Sequence, residues 1–185
     1  MLKRPPFLKH SVLKRLGSDQ RGVAAVEFAL IAPIAILLYA GFAELTMAMM
    51  AERRAAHTAS VVADLVSQST SVSTAQMTDI FNVANSIIYP FTPTPLKLRV
   101  TSVTADAMGV ARVTWSQGRG MGPLTGGAAV SAFPANLLAA GESVIMADVQ
   151  YAYTSPLKMT LPSALTFNDT FYLKPRRSPS VTLTY

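Results

Sequence analysis

The chain has 185 residues, of which 50% are hydrophobic, and a formal net charge of +6 with no cysteine. This length is enough for one membrane anchor and one modest exported domain, but not for two large cores. The absence of cysteine excludes disulfides, thiol catalysis and thiolate metal sites.

The positive charge is concentrated before Gly22. That leader has six basic residues and one acid, a net of +5, whereas the rest of the chain has a net of +1. The charge therefore does not indicate a nucleic-acid-binding protein. A basic leader keeps its end in the cytoplasm by the positive-inside rule, although Arg53 and Arg54 oppose this orientation weakly. We expect residues 1–22 to form a leader that is cut off, or else a short amphipathic helix at the membrane surface.

The leader is followed by an apolar run, RGVAAVEFALIAPIAILLYAGFAELTMAMMA, over residues 21–51. As a helix, residues 23–51 would extend roughly 43 Å, and the hydrocarbon core of a bilayer is about 30 Å thick. The run therefore predicts a single transmembrane helix. Pro33 predicts a kink, because it cannot donate to the carbonyl of Ala29.

Only two acids, Glu27 and Glu44, interrupt this run. A carboxylate at the bilayer centre costs roughly 2.5–3.5 kcal/mol on insertion scales. The two acids are about 25 Å apart along a helix, so both can lie near headgroup layers. We interpret Glu44 as a membrane boundary, whereas the residues around Glu27 indicate another role.

Arg21-Gly22 followed by VAAVEF resembles the type IV prepilin processing signal, in which a small residue precedes the cut. The longer string RGVAAVEFALIAPIAILLYAGFAEL is similar to the TadE-like family of the tight-adherence (Flp-type) pilus system. The TadE-like region covers about residues 20–63. The matching positions are Gly22, Glu27, Phe28, Pro33 and Glu44.

The resemblance implies a minor pilin or pseudopilin of a Tad pilus, which contributes to pilus assembly and surface adherence. A prepilin peptidase would cut between Gly22 and Val23, and Glu27, next to Phe28, would pair with the new amine of a neighbouring subunit. The implied partners are other pilin and pseudopilin helices, the peptidase and the inner-membrane assembly platform. The protein would cross the bacterial inner membrane once, with its C-terminal domain in the periplasm, and would either enter the pilus or stay at its assembly base.

A second hypothesis is an exported or membrane-anchored periplasmic binding domain with an ordinary signal sequence. Gly41-Phe42-Ala43 before Glu44 has the small-x-small spacing of a signal peptidase site. A third hypothesis, a membrane-tethered hydrolase, is disfavoured because the acids are dispersed and only His10 and His57 are present. The glycine-rich stretch GRGMGPLTGG lacks the lysine of a phosphate-binding loop. We therefore expect no enzyme, metal, cofactor or small-molecule substrate.

Helical periodicity continues beyond the membrane, and we predict one helix over residues 23–67. Residues 73–89 predict a second, amphipathic helix, because Ser73 and Gln76 have the spacing of a capping box. Alternating residues then predict strands at 96–104, 110–116 and 143–153, with weaker strands at 167–173 and 181–185 and a long loop at 117–134. The prediction is an α+β fold with domains at 23–51, 52–89 and 90–185, in which a meander of antiparallel strands packs against either the 73–89 helix or the 23–67 helix.

Overall fold

The computed structural model describes residues 22–131 and 133–185, so the predicted leader before Gly22 lies outside the described residues. The described residues divide into two units, one that ends at Ala43 and one over Glu44–Tyr185. Helix α1 is one α-helix over Val23–Ser67, with Pro33 inside it. This confirms the prediction of one helix over residues 23–67.

Helix α2 (Thr74–Ile87) follows a three-residue strand, β1 (Ser71–Ser73). The Ser73 hydroxyl accepts from the backbone N–H of Gln76 at 3.2 Å, and the Gln76 side chain accepts from the Ser73 N–H at 2.8 Å. Both bonds of the predicted capping box are therefore present. The predicted apolar stripe is also confirmed, because Met77, Phe81 and Ala84 are buried on one face of the helix.

The main sheet has four antiparallel strands in the order β3-β2-β4-β5. Their bounds are β2 Leu96–Ala105, β3 Ala111–Arg119, β4 Ser143–Tyr153 and β5 Leu165–Leu173. The expected hairpin of β2 and β3 is confirmed. A separate two-stranded sheet pairs β6 (Thr182–Thr184) with β1 in parallel.

Three details of the predicted sheet are wrong. The strands do not form a simple meander, because β4 pairs with β2 and not with β3. The last strand pairs with β1 beside the helices and lies outside the main sheet. Strand β3 also continues to Arg119, so Gln117–Arg119 belongs to the sheet and not to the loop. A methyl group on Gly118 would lie 2.0 Å from the carbonyl oxygen of Met121, so only glycine allows the chain to turn back so closely there.

The larger core lies between one face of the sheet and the two helices. Alternate residues of β2 and β4 face it, as their period-2 pattern predicted. Helix α1 contributes small residues, which allow the helix to approach the sheet closely. The buried members from α1, the sheet and α2 include Ala51, Ala55, Ala59, Val62, Leu98, Val100, Ile145, Val149, Phe81 and Ile88.

The other face of the sheet is covered by the long connection between β3 and β4. Val103, Val144 and Met146 are buried on this face, and Leu124 and Phe133 from the connection pack against them. Phe133 meets the Tyr172 ring edge to face at 5.5 Å. Both faces of the sheet are therefore buried, so the α+β unit has two hydrophobic layers.

Replacing Ser73 with alanine removes the hydroxyl that accepts the Gln76 N–H. We expect the free energy of unfolding of the α+β unit to fall by about 1 kcal/mol, measured by urea denaturation of the full chain in detergent. The control is Ser86→Ala in the same helix. Ser86 is exposed, and alanine has a higher helix propensity than serine. The free energy of unfolding of the Ser86→Ala variant should therefore equal that of the parent protein or rise slightly. Equal stability of Ser73→Ala and the parent protein would contradict the capping role.

Candidate functional site

The first part of α1 exposes large apolar side chains on all sides. Phe28 is 72% exposed, Leu30 68% and Tyr39 78%. Monomeric soluble proteins rarely expose so large a continuous apolar surface. The helix is long and apolar enough to cross a membrane, with a mean hydropathy of 2.2 in its most apolar window and only 6% of that window buried. These observations are consistent with a membrane anchor.

Gly22 lies directly before α1, and Val23 is its first residue. Chain neighbours apart, a methyl group on Gly22 would meet no described atom within 4 Å. Val23 is 51% exposed. The predicted cleavage between these two residues stays a prediction, and its position coincides with the beginning of the helix.

Glu27 lies one helical turn after Val23 and is exposed, as is Phe28 beside it. Within residues 22–131 and 133–185, no hydrogen bond or ion pair reaches the Glu27 carboxylate. Its surroundings are the exposed apolar side chains of the same helix. The carboxylate therefore has no local compensation, and its proposed pairing with another subunit stays a prediction.

Pro33 is exposed and lies inside the single helix, where its missing N–H cannot donate to the preceding turn. Transmembrane helices tolerate such a proline better than soluble helices do. The kink predicted at this residue stays a prediction.

Glu44, the second acid, has the opposite environment. It is fully buried, with 0% of its surface exposed, and it is the first residue of the unit Glu44–Tyr185. Its Oε1 accepts the Ser155 hydroxyl at 2.7 Å and the Met159 N–H at 2.9 Å. Its Oε2 accepts the N–H groups of Thr160 at 2.8 Å and Leu161 at 2.9 Å, together with the Thr160 hydroxyl.

The donors come from the connection between β4 and β5, residues 154–164, which we call the β4–β5 loop. Ser155 is buried, and its hydroxyl also accepts the Leu157 N–H at 3.3 Å. Lys158 has a φ of 53°, a left-handed conformation that is uncommon for a residue other than glycine. The N–H groups of the three residues after it, Met159, Thr160 and Leu161, converge on one point and make a concave anion-binding site. Here the anion is the carboxylate of Glu44.

Five donors surround the two oxygens of Glu44, and no lysine or arginine is among them. Hydrogen bonds to a charged group are roughly twice as strong as neutral ones. A buried carboxylate without such bonds would carry a large desolvation penalty. The carboxylate therefore fastens the β4–β5 loop to α1. Ser155 and Thr160 were not identified from the sequence, where the only signal was an acid that needed a partner. The interpretation of Glu44 as a membrane boundary stays a prediction.

Among the described residues, no three histidine or acidic side chains are close enough to hold a metal ion. A cavity of about 330 Å³ on the outer face of the sheet contains Arg99 and Asp148, but these form an ion pair at 2.8 Å. The Thr170 hydroxyl donates to the same carboxylate at 2.7 Å. Burial raises the pKa of the Tyr172 hydroxyl, and the charge of Asp148 raises it further, so this phenol stays protonated.

Replacing Glu44 with glutamine keeps the shape of the side chain. It also places an NH₂ group, which cannot accept a hydrogen bond, against the N–H donors of the β4–β5 loop. Each buried N–H left without an acceptor costs about 1–3 kcal/mol. Since 1.4 kcal/mol is a factor of ten, we expect hydrogen exchange of the Met159, Thr160 and Leu161 amides to accelerate about tenfold or more. The control is Glu52→Gln, an exposed glutamate of the same helix, which should leave these amides unchanged. Unchanged exchange in Glu44→Gln would show that the carboxylate does not hold the loop.

Comparison with protein families gives a match over the first helix. The family model described as TadE-like protein matches residues 22–64, a range that begins at Gly22 and includes both acids and Pro33. No curated protein and no solved structure is similar enough to match the chain. The β-sheet lies outside the matched range. Residues 22–64 are therefore a TadE-like segment, which confirms the family resemblance that Gly22, Glu27 and Pro33 indicated.

Proposed function

We propose that this protein is a minor pilin or pseudopilin of a Tad pilus, processed by a prepilin peptidase that cuts after Gly22. The observation that carries the proposal is the TadE-like segment. In it, Glu27 is exposed and without a partner among the described residues, and it lies in the first turns of an exposed apolar helix. Such a helix needs lipid or other helices around it, and such an acid needs a partner.

The cut would change the charge at the beginning of α1. A new ammonium group on Val23 would lie at the positive end of the helix dipole, where it is unfavourable without a negative partner. Glu27 of a neighbouring subunit can supply that negative charge. The pair would offset the cost of both charges in an apolar surrounding. This gives a physical reason why assembly would follow processing.

The helix surface suits packing against similar helices. Lipid provides no hydrophobic force between helices, so small residues that allow close contact become important. Such residues occur throughout the first half of α1: Ala24, Ala25, Ala29, Ala32 and Ala35. In this proposal the protein first crosses the bacterial inner membrane once, with its basic leader in the cytoplasm and its α+β unit in the periplasm. It then contributes to pilus assembly and surface adherence through contacts with other pilin helices and the assembly platform.

One observation favours a second candidate function, an exported binding domain released by signal peptidase. The division between the compact units falls after Ala43, where the small-x-small spacing predicts a signal peptidase site. A cut there would leave Glu44–Tyr185, which contains Glu44 and all five of its donors. The TadE-like match favours the first function, because it runs across residue 43.

The position of the mature N-terminus distinguishes the two functions. In cells that contain the prepilin peptidase, we expect mass spectrometry of the purified protein to find Val23 as the first residue. Gly22→Leu should retain the leader, because a bulky side chain prevents the extended backbone from entering a peptidase cleft. Gly17→Leu, a matched change within the leader, should still be cut. A protein that begins at Met1 or at Glu44 would contradict the proposal.

Glu27→Ala should be cut normally but enter pili poorly. A charge-assisted hydrogen bond contributes about 1.5–3 kcal/mol, so we expect incorporation to fall about tenfold or more. Incorporation can be measured as the ratio of the protein in sheared pili to the protein in the membrane. Glu52→Ala, which removes an exposed acid further along the same helix, should behave as the parent does. Normal incorporation of Glu27→Ala would remove the pairing role.

A further inference from the structure

The β4–β5 loop exposes apolar side chains at its tip. Leu157 is 51% exposed and Met159 is 55% exposed, and Lys158 lies between them. Leu161, further along the loop, packs against the core instead. The exposed tip is therefore amphipathic, with two apolar side chains on either side of one cation.

The place at which this loop is fixed indicates what covers it. The loop is hydrogen-bonded to Glu44, and Glu44 directly follows Ala43, the end of the unit that contains the exposed apolar helix. If that helix crosses a bilayer and Glu44 marks the membrane boundary, as predicted from the sequence, the loop is fastened at the level where the helix leaves the hydrocarbon. Other exposed apolar side chains of α1 occur near the same level, with Leu45 52% and Met49 47% exposed.

Most backbone N–H groups at the tip of the loop, although not that of Lys158, are already satisfied within the protein. An unsatisfied N–H group is costly in or near lipid, which is why irregular backbone is normally kept out of the bilayer. Here the N–H groups of Leu157, Met159, Thr160 and Leu161 already donate within the protein. Pro156 and Pro162 have no N–H at all. Leu157 and Met159 can therefore enter an apolar layer without exposing these donors.

We propose that the β4–β5 loop docks on the membrane surface, with Leu157 and Met159 entering the boundary of the acyl chains. The Lys158 ammonium group extends to the lipid phosphates, as lysine side chains do at membrane interfaces. The docking goes beyond the proposed pilus function, and it rests only on the membrane-anchored state that precedes assembly.

The sheet provides a matched control at its opposite end. Leu96 pairs with Tyr151 near the loop, whereas Thr104 pairs with Ser143 at the far end. The 11 residues of β4 separate the two ends by about 36 Å at strand rise. Met108 lies in the turn after β2 at this far end and is 83% exposed. It is thus an exposed methionine that the proposed docking keeps in water.

The absence of cysteine allows single-cysteine labelling without other changes. We would prepare full-length Met159→Cys, Met108→Cys and Leu38→Cys, each carrying an environment-sensitive fluorophore, in vesicles of phosphatidylethanolamine and phosphatidylglycerol. Leu38 is 56% exposed within the apolar helix and reports whether the helix is inserted. We expect the labels at positions 38 and 159 to emit at shorter wavelength and to be quenched by spin-labelled lipids. The label at position 108 should show neither effect.

A second label, on Leu157→Cys, guards against a local disturbance at position 159, and it should be quenched as well. Quenching at position 38 without quenching at 157 or 159 would overturn the docking and leave the anchor intact. Absence of quenching at position 38 would contradict the anchored state itself, and with it the docking. A shift at 159 that spin-labelled lipids do not affect would mean that protein covers the loop, which also overturns the proposal.

Discussion

A carboxylate without solvent contact is stable only where donors surround it, and this constraint explains how the α+β unit is joined to its helix. Glu44 lies on α1, and its five donors lie more than 110 residues later in the chain. The bonds therefore join two segments that are distant in sequence, at the edge of the larger core. Apolar packing between α1 and the sheet is not directional. The fixed geometry of the carboxylate adds direction, so the loop after β4 has one defined position.

The two acids of α1 present the same physical problem with two different outcomes. Both lie in an apolar helix, where a charge needs compensation. Glu44 finds its compensation within its own chain, whereas the Glu27 carboxylate has no partner among the described residues. This difference gives Glu44 a structural role, whereas the pairing of Glu27 with another subunit stays a proposal. An acid already surrounded by five donors has no capacity for another subunit, and an exposed acid among apolar side chains does.

The sequence predicted the elements whose information is local. The capping box at Ser73 and the alternation along β4 depend on residues a few positions apart, and both were recognised. The order of the strands was not predicted. The connection from β3 to β4 crosses β2, and the residues of this connection show no periodicity that would indicate the crossing. The donors to Glu44 were missed for a related reason. Three of them are backbone N–H groups, which every loop possesses, and only the tertiary structure brings them to one carboxylate.

The indole of Trp115, the only tryptophan of the chain, is 7% exposed and donates to the carbonyl of Val181 at 2.7 Å. This bond fastens the segment before β6 to the third strand. Because the chain has a single indole, the intrinsic tryptophan fluorescence of the protein comes from this one position. Its emission depends on whether the C-terminal segment is seated on the sheet, and no second indole contributes a signal from the apolar helix. Unfolding of the α+β unit can therefore be followed by intrinsic fluorescence of the purified protein in lipid vesicles.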